Sequence, residues 1–149
     1  FAYADEALVG KYAGAADKHS LRRCVSHLFA WGWSLAAIFA FAYGVFNHEV
    51  MSLFSDKPEV VAFAAAYRWW IALAPIAGMA AFIWDGVFVG LTATRQMLLS
   101  LAGATAVYFT IYFLFPLADA NDCLWTAFLA YLAVRGVILW LCFARKNEY

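Results

Sequence analysis

The sequence predicts an all-α, polytopic transmembrane helix bundle: four complete spans preceded by the end of a fifth. Three observations lead there. Of 149 residues, 66% are hydrophobic and 13% charged, against roughly 25% charged in soluble domains. The apolar residues gather into four runs, at 25–46, 60–91, 97–117 and 124–143, each long enough to cross a hydrocarbon core of ~30 Å. Basic residues outside the runs segregate to alternate connections, as they do around membrane spans. The bilayer is therefore the expected partner. With a formal net charge of zero, nothing is expected to attract a nucleic acid.

The elements follow in order. Residues 1–12 read as the tail of a helix, with Asp5 and Glu6 at a solvated end that needs no partner. The chain opens on Phe1 without the charged and apolar regions of a signal peptide, so it is expected to be the C-terminal part of something longer. Residues 13–24 form a polar, basic link in which Gly14 is placed to stop the stub and Asp17 or Ser20 to cap the next helix. The first span, 25–46, leads into an acidic connection at 47–59, where Pro58 suits the opening turn of a helix. The second span, 60–91, is expected to be the longest and to bend around Pro75. Thr92 to Gln96 make a tight turn, the third span runs 97–117 and ends near Pro116, and residues 118–122 are acidic. The fourth span, 124–143, closes at Arg145 and Lys146.

Charge then orients the bundle. The end of the stub, the link, the turn and the tail hold Lys11, Lys18, Arg22, Arg23, Arg95, Arg145 and Lys146, seven of the ten basic residues. The two alternate loops hold only Lys57, together with five of the ten acids. The rule that basic loops stay inside places the C-terminus in the cytoplasm.

The second span carries the chemistry. Taking 71–91 as its hydrocarbon part gives 21 residues, about 31 Å at ~1.5 Å per residue. Trp69 and Trp70 are suited to one interface, with Arg68 beside them. Asp85 lies well inside. A carboxylate there costs about 2.5–3.5 kcal/mol on insertion scales, so it is expected to face protein or water and to have a task. Ala74, Gly78, Ala81, Asp85 and Thr92 share one small, weakly polar face, suited to close helix contact or to a cavity wall. Pro75 removes an internal hydrogen bond and offers a hinge. Gly86 and Gly90 form a GxxxG pair that admits a neighbouring backbone.

Arg135 is the second charge within a span. Counting ~1.5 Å per residue from Trp70 and Leu124 puts Asp85 and Arg135 about 22 and 17 Å deep. An ion pair is compatible with those depths. So is an arginine that faces elsewhere or snorkels to an interface. The remaining candidates are weaker. His19, His27 and His48 have no second ligand at helical spacing and read as surface residues. Cys24, Cys123 and Cys142 lack metal spacing and read as packed free thiols. Trp31, Trp33, Tyr108 and Tyr112 read as packing or interface residues. No nucleophile motif, phosphate loop or metal cluster is visible, so neither an enzyme nor a cofactor is expected.

Three segments carry a family resemblance: EALVGKYAGAAD at 6–17, PEV at 58–60, and PIAGMAAFIWDGVFVGLTATRQM at 75–97. Together they resemble the multidrug and toxic compound extrusion (MATE) transporters of the DinF-like branch, and DGVFVG is the most specific part. Where the family motif commonly has Gly-Ala-Thr, this chain has Gly90-Leu91-Thr92. The resemblance implies two six-helix lobes around a cleft, of which residues 1–149 would supply the end of the eighth helix and helices nine to twelve. It implies an inner-membrane antiporter that exports small organic compounds in exchange for protons or sodium, completed by an N-terminal lobe. On that resemblance Asp85 would be the coupling acid; read from their own positions, Arg135 is a candidate partner for it, and Pro75, Gly78, Ala81, Gly86 and Gly90 are candidates to line the cavity or serve as a hinge. A flippase for lipid-linked precursors, expected to need several cavity cations, and a structural subunit of a membrane complex are the alternatives.

Overall fold

A computed structural model describes residues 2–114 and 120–145. These residues form seven helices and no strand: α1 (Ala2–Gly14), α2 (Lys18–Val45), α3 (Asn47–Phe54), α4 (Pro58–Ala66), α5 (Arg68–Gly90), α6 (Thr94–Leu114) and α7 (Ala120–Arg145). Four of them, α2, α5, α6 and α7, are long and apolar enough to cross a membrane. The fold is thus an all-α, polytopic bundle with four membrane-spanning helices. The expected end of the third span at Pro116 and the tail at Lys146 lie outside the described residues.

The longest helix is α2, with 28 residues against 23 in α5, which corrects the expectation that the second span would be longest. Residues 18–24, read as link, are helical because Asp17 caps them. Its carboxylate accepts the Ser20 N–H at 3.0 Å, satisfying an N-terminal donor that helix geometry leaves without a partner. The real turn is only residues 15–17. It is closed by Ala16 N–H to Ala13 C=O and Asp17 N–H to Tyr12 C=O, both 3.1 Å, with Ala16 left-handed at φ 54°. This is a Schellman stop, and it falls two residues past Gly14, the expected stop signal. Thr92 repeats it after α5: φ is 52°, with Thr92 N–H to Val89 C=O and Ala93 N–H to Phe88 C=O, both at 2.9 Å.

The expected 60–91 span is broken, and not at Pro75. A helix over those 32 residues would measure ~48 Å, well beyond a core of ~30 Å. The chain breaks at Tyr67, which ends α4 and precedes α5 with φ −99° and ψ 11°. The break stands beside the interfacial anchors, where the Arg68 guanidinium lies 5.0 Å from the Trp69 ring centre. Pro75 is carried inside a continuous α5. Pro58 opens α4. The acidic connection is partly helical, its residues 47–54 forming α3, which packs on α4.

Helix α5 is the hub. It packs against α1, α2 and α7, while α6 packs chiefly on α7. Val9, Leu21, Val25, Leu28, Ile83, Val87, Phe88 and Leu139 form the core with Trp84, whose indole meets the rings of Phe29 at 5.0 Å and Phe143 at 4.9 Å. Large apolar side chains such as Trp31, Phe41, Phe63, Leu98 and Val137 point outward. That pattern suits a lipid solvent and would promote aggregation in water.

Candidate functional site

Close approach of α5 and α7 comes first, because it sets what the charged residues can do. A Cβ added at Gly136 of α7 would stand 3.1 Å from Ala80 Cβ and 3.3 Å from the Ala81 backbone nitrogen. One at Gly78 of α5 would stand 3.4 Å from Leu132 Cδ1. Small residues therefore bring the two backbones together, as packing in lipid requires when hydrophobicity gives no preference between helices. Ala81 is fully buried and Gly78 buried. Of the two roles their face allows, helix contact is the one made among the described residues. Thr92 lies past the end of α5 and does not continue their face.

Beside this contact the two intramembrane charges meet. Arg135 Nη2 lies 2.9 Å from Asp85 Oδ1, with side chains 18% and 23% exposed. Of the two arrangements open to Arg135 in the sequence, the structure adopts the ion pair. Asp85 is one helical turn past Ala81, and Arg135 directly precedes Gly136, so the arginine stem spans about one turn to reach it. The contact is one charge-to-charge approach and not an aligned two-pronged clasp. Beyond that approach of Nη2, Asp85 Oδ1 has no hydrogen bond, and Arg135 Nε has none, among the described residues. A pair held this way retains capacity for water, a proton or a cation.

The glycine pair turns elsewhere. A Cβ at Gly90 would come within 2.7 Å of the Glu6 carbonyl and 2.9 Å of Val9 Cβ, so Gly90 admits α1. Gly86 is buried one turn earlier. This is the packing role of GxxxG, and it places Gly90 at the contact with α1. Gly136 and Gly32 were not anticipated. Gly32 of α2 sits against Ile83 and Met79, and its only sequence signal is a small residue within an aromatic span. Asp5 corrects a further expectation: it is 3% exposed, not solvated, with Oδ1 lacking a hydrogen-bond partner among the described residues. Glu6, His19, His27 and His48 are exposed, and the three cysteines are free thiols. An apolar groove of about 390 Å³ between α2, α5 and α7, walled by Trp33, Ala80, Trp84 and Trp140, follows a different stripe of α5 from Asp85 and has no charged lining.

The fold and this pair define a polytopic helical membrane protein with a charged centre inside its bundle. The MatE family matches residues 1–112 of the 149, and the chain belongs to that family, whose members are transporters and not enzymes. It is also similar to DNA damage-inducible protein F of Escherichia coli (strain K12), 29% identical over 139 residues. That similarity covers 93% of this chain and 30% of the relative's length. No solved structure matches the chain.

Proposed function

We propose that these residues belong to the C-terminal lobe of a secondary active antiporter that exports small organic compounds in exchange for protons or sodium. The observation that carries this reading is an acid inside a membrane span, paired at one point with an arginine from a second span and partly accessible. Ionisable groups at such depth mark ion and substrate paths far more often than passive structure. Family membership supports transport, and the segregated basic residues support an inner-membrane chain whose C-terminus is cytoplasmic.

In this mechanism Asp85 alternates between two partners. With Arg135 on the carboxylate, α5 and α7 are held together. A proton or sodium ion arriving at Asp85 cancels its charge and releases Arg135, which favours a second arrangement of the two helices. Pro75 supplies the compliant point, since α5 lacks one internal hydrogen bond there. The cleft that holds the organic compound is completed by a second lobe of the same protein.

Gradient-driven efflux in proteoliposomes tests the proposal, comparing the full-length protein with its Asp85→Asn variant at matched expression. Loss of coupled efflux with retained folding is expected. Undiminished coupled efflux would make Asp85 a structural group.

A further inference from the structure

Helices α1 and α2 form a hairpin around the turn at residues 15–17, and a groove of about 620 Å³ opens between them. Its lining changes character along the hairpin. Ser20 and Arg23 lie near the turn, His27 follows one turn deeper, and Leu8, Leu28 and Trp31 make the far end. From Ser20 to Trp31 the rise is about 16 Å at ~1.5 Å per residue, the distance from a headgroup layer into the acyl region.

We infer that this groove is a binding site for an anionic phospholipid, seated with its phosphate at Ser20, Arg23 and His27 and an acyl chain along Leu8, Leu28 and Trp31. Charge complementarity selects the headgroup. The groove's polar lining is the Arg23 guanidinium, the His27 imidazole, the Ser20 and Tyr12 hydroxyls and the Cys24 thiol, with no carboxylate. Arg23 and His27 are exposed, and their donors suit phosphate oxygens. Nearby Asp17, which caps α2 through the Ser20 N–H, is not among the residues that line the groove. Lys18 and Arg22 add positive potential at the same helix end, and basic pockets of this kind between spans hold anionic lipid headgroups. The tail end of the groove selects a lipid over a free anion. Trp31 is 68% exposed and Leu8 41%, an apolar surface that inorganic phosphate would leave uncovered. The inference stands apart from the ion-pair mechanism.

The test uses full-length protein in detergent, with native mass spectrometry of bound phosphatidylglycerol and phosphatidylcholine. In an Arg23→Gln/His27→Gln double variant, phosphatidylglycerol affinity should fall at least about five-fold, the effect of one surface cation, while phosphatidylcholine binding is unchanged. Equal binding of both lipids, or no loss in the variant, would overturn the site. Excess inorganic phosphate should leave the lipid bound; displacement would identify a site for free anions and overturn the lipid. If the double variant does not fold, quenching by acyl-brominated lipids replaces it, read as the difference between wild type and Trp31→Phe. Stronger Trp31 quenching by phosphatidylglycerol than by phosphatidylcholine is expected. Equal quenching, or none because another helix covers the groove, would overturn the proposal.

Discussion

Asp85 of α5 and Arg135 of α7 meet at 2.9 Å because Gly136, next to the arginine, lets α7 settle onto the backbone of α5 at Ala81. The electrostatic pair therefore depends on a steric contact. Neutralising the charge should leave the contact in place, whereas filling Gly136 should weaken both.

Neutralising the acid comes first. Asp85→Asn is close to isosteric and should preserve the fold, yet it leaves Arg135 without its counter-charge in the bundle. Removing one member of a largely buried pair should lower stability by about 2–3 kcal/mol. Arg135→Met in the Asn background should recover much of that loss, since an apolar pair is tolerated where a lone charge is not. Thermal unfolding of the four members of the cycle measures the coupling. Additive effects would mean that the pair contributes nothing to stability.

Gly136→Ala tests the steric half. The new methyl would press on Ala80 Cβ and on backbone at Ala81, and backbone cannot rotate away. Overpacking of this kind costs about 1–3 kcal/mol. It should also separate Asp85 from Arg135, so the stability loss on Asp85→Asn should shrink in the Gly136→Ala background. An unchanged loss would show that the helix contact does not set the pair.

Glycines at the other crossings should rank by what they touch. At Gly90 an added Cβ meets the Glu6 carbonyl at 2.7 Å, so Gly90→Ala must push α1 away from α5. At Gly32 it meets the ends of the Ile83 and Met79 side chains, which can change rotamer. Gly90→Ala should therefore lower the melting temperature more than Gly32→Ala, and the reverse order would contradict the α1–α5 contact.

Two stops sit in left-handed geometry without glycine. Ala16→Gly and Thr92→Gly should each stabilise by about 1 kcal/mol, because the penalty for a Cβ in that region, ~1–2 kcal/mol, outweighs the added freedom of the unfolded chain. Melting temperatures of the single variants decide the point; a decrease in both would mean that other conformations end these helices.

The cap of α2 should be sensitive to acid. Hydrogen bonds from Ser20 hold the Asp17 carboxyl below its ordinary value of 3.8. A depressed value means that the ionised form is favoured on folding. The cap's contribution is then fully present above pH 3.8 and lost as pH falls through the lower folded value. Asp17→Ala should flatten that part of the stability profile, and an unaltered profile would exclude the cap as its source.

Hydropathy and charge were enough to predict an all-α bundle with four membrane-crossing helices and to single out both intramembrane charges. These are consequences of composition: about 20 apolar residues must cross a bilayer somewhere, and a charge inside them is conspicuous because it is costly. Whether Asp85 met Arg135 was not legible. Spans that are apolar all round give no direction for pairing, and which helices touch depends on two surfaces at once, here Gly136 against Ala81 and Gly90 against Glu6. Tertiary structure also decided the break at Tyr67 over Pro75, the burial of Asp5 and the stops at Ala16 and Thr92. A proline inside a helix is tolerated when neighbouring helices pack around it. An alanine or threonine adopts a left-handed stop when the packing of the two joined helices outweighs its local penalty. Local preference marks where a membrane chain can bend or carry charge; contact between helices determines which of those places it uses.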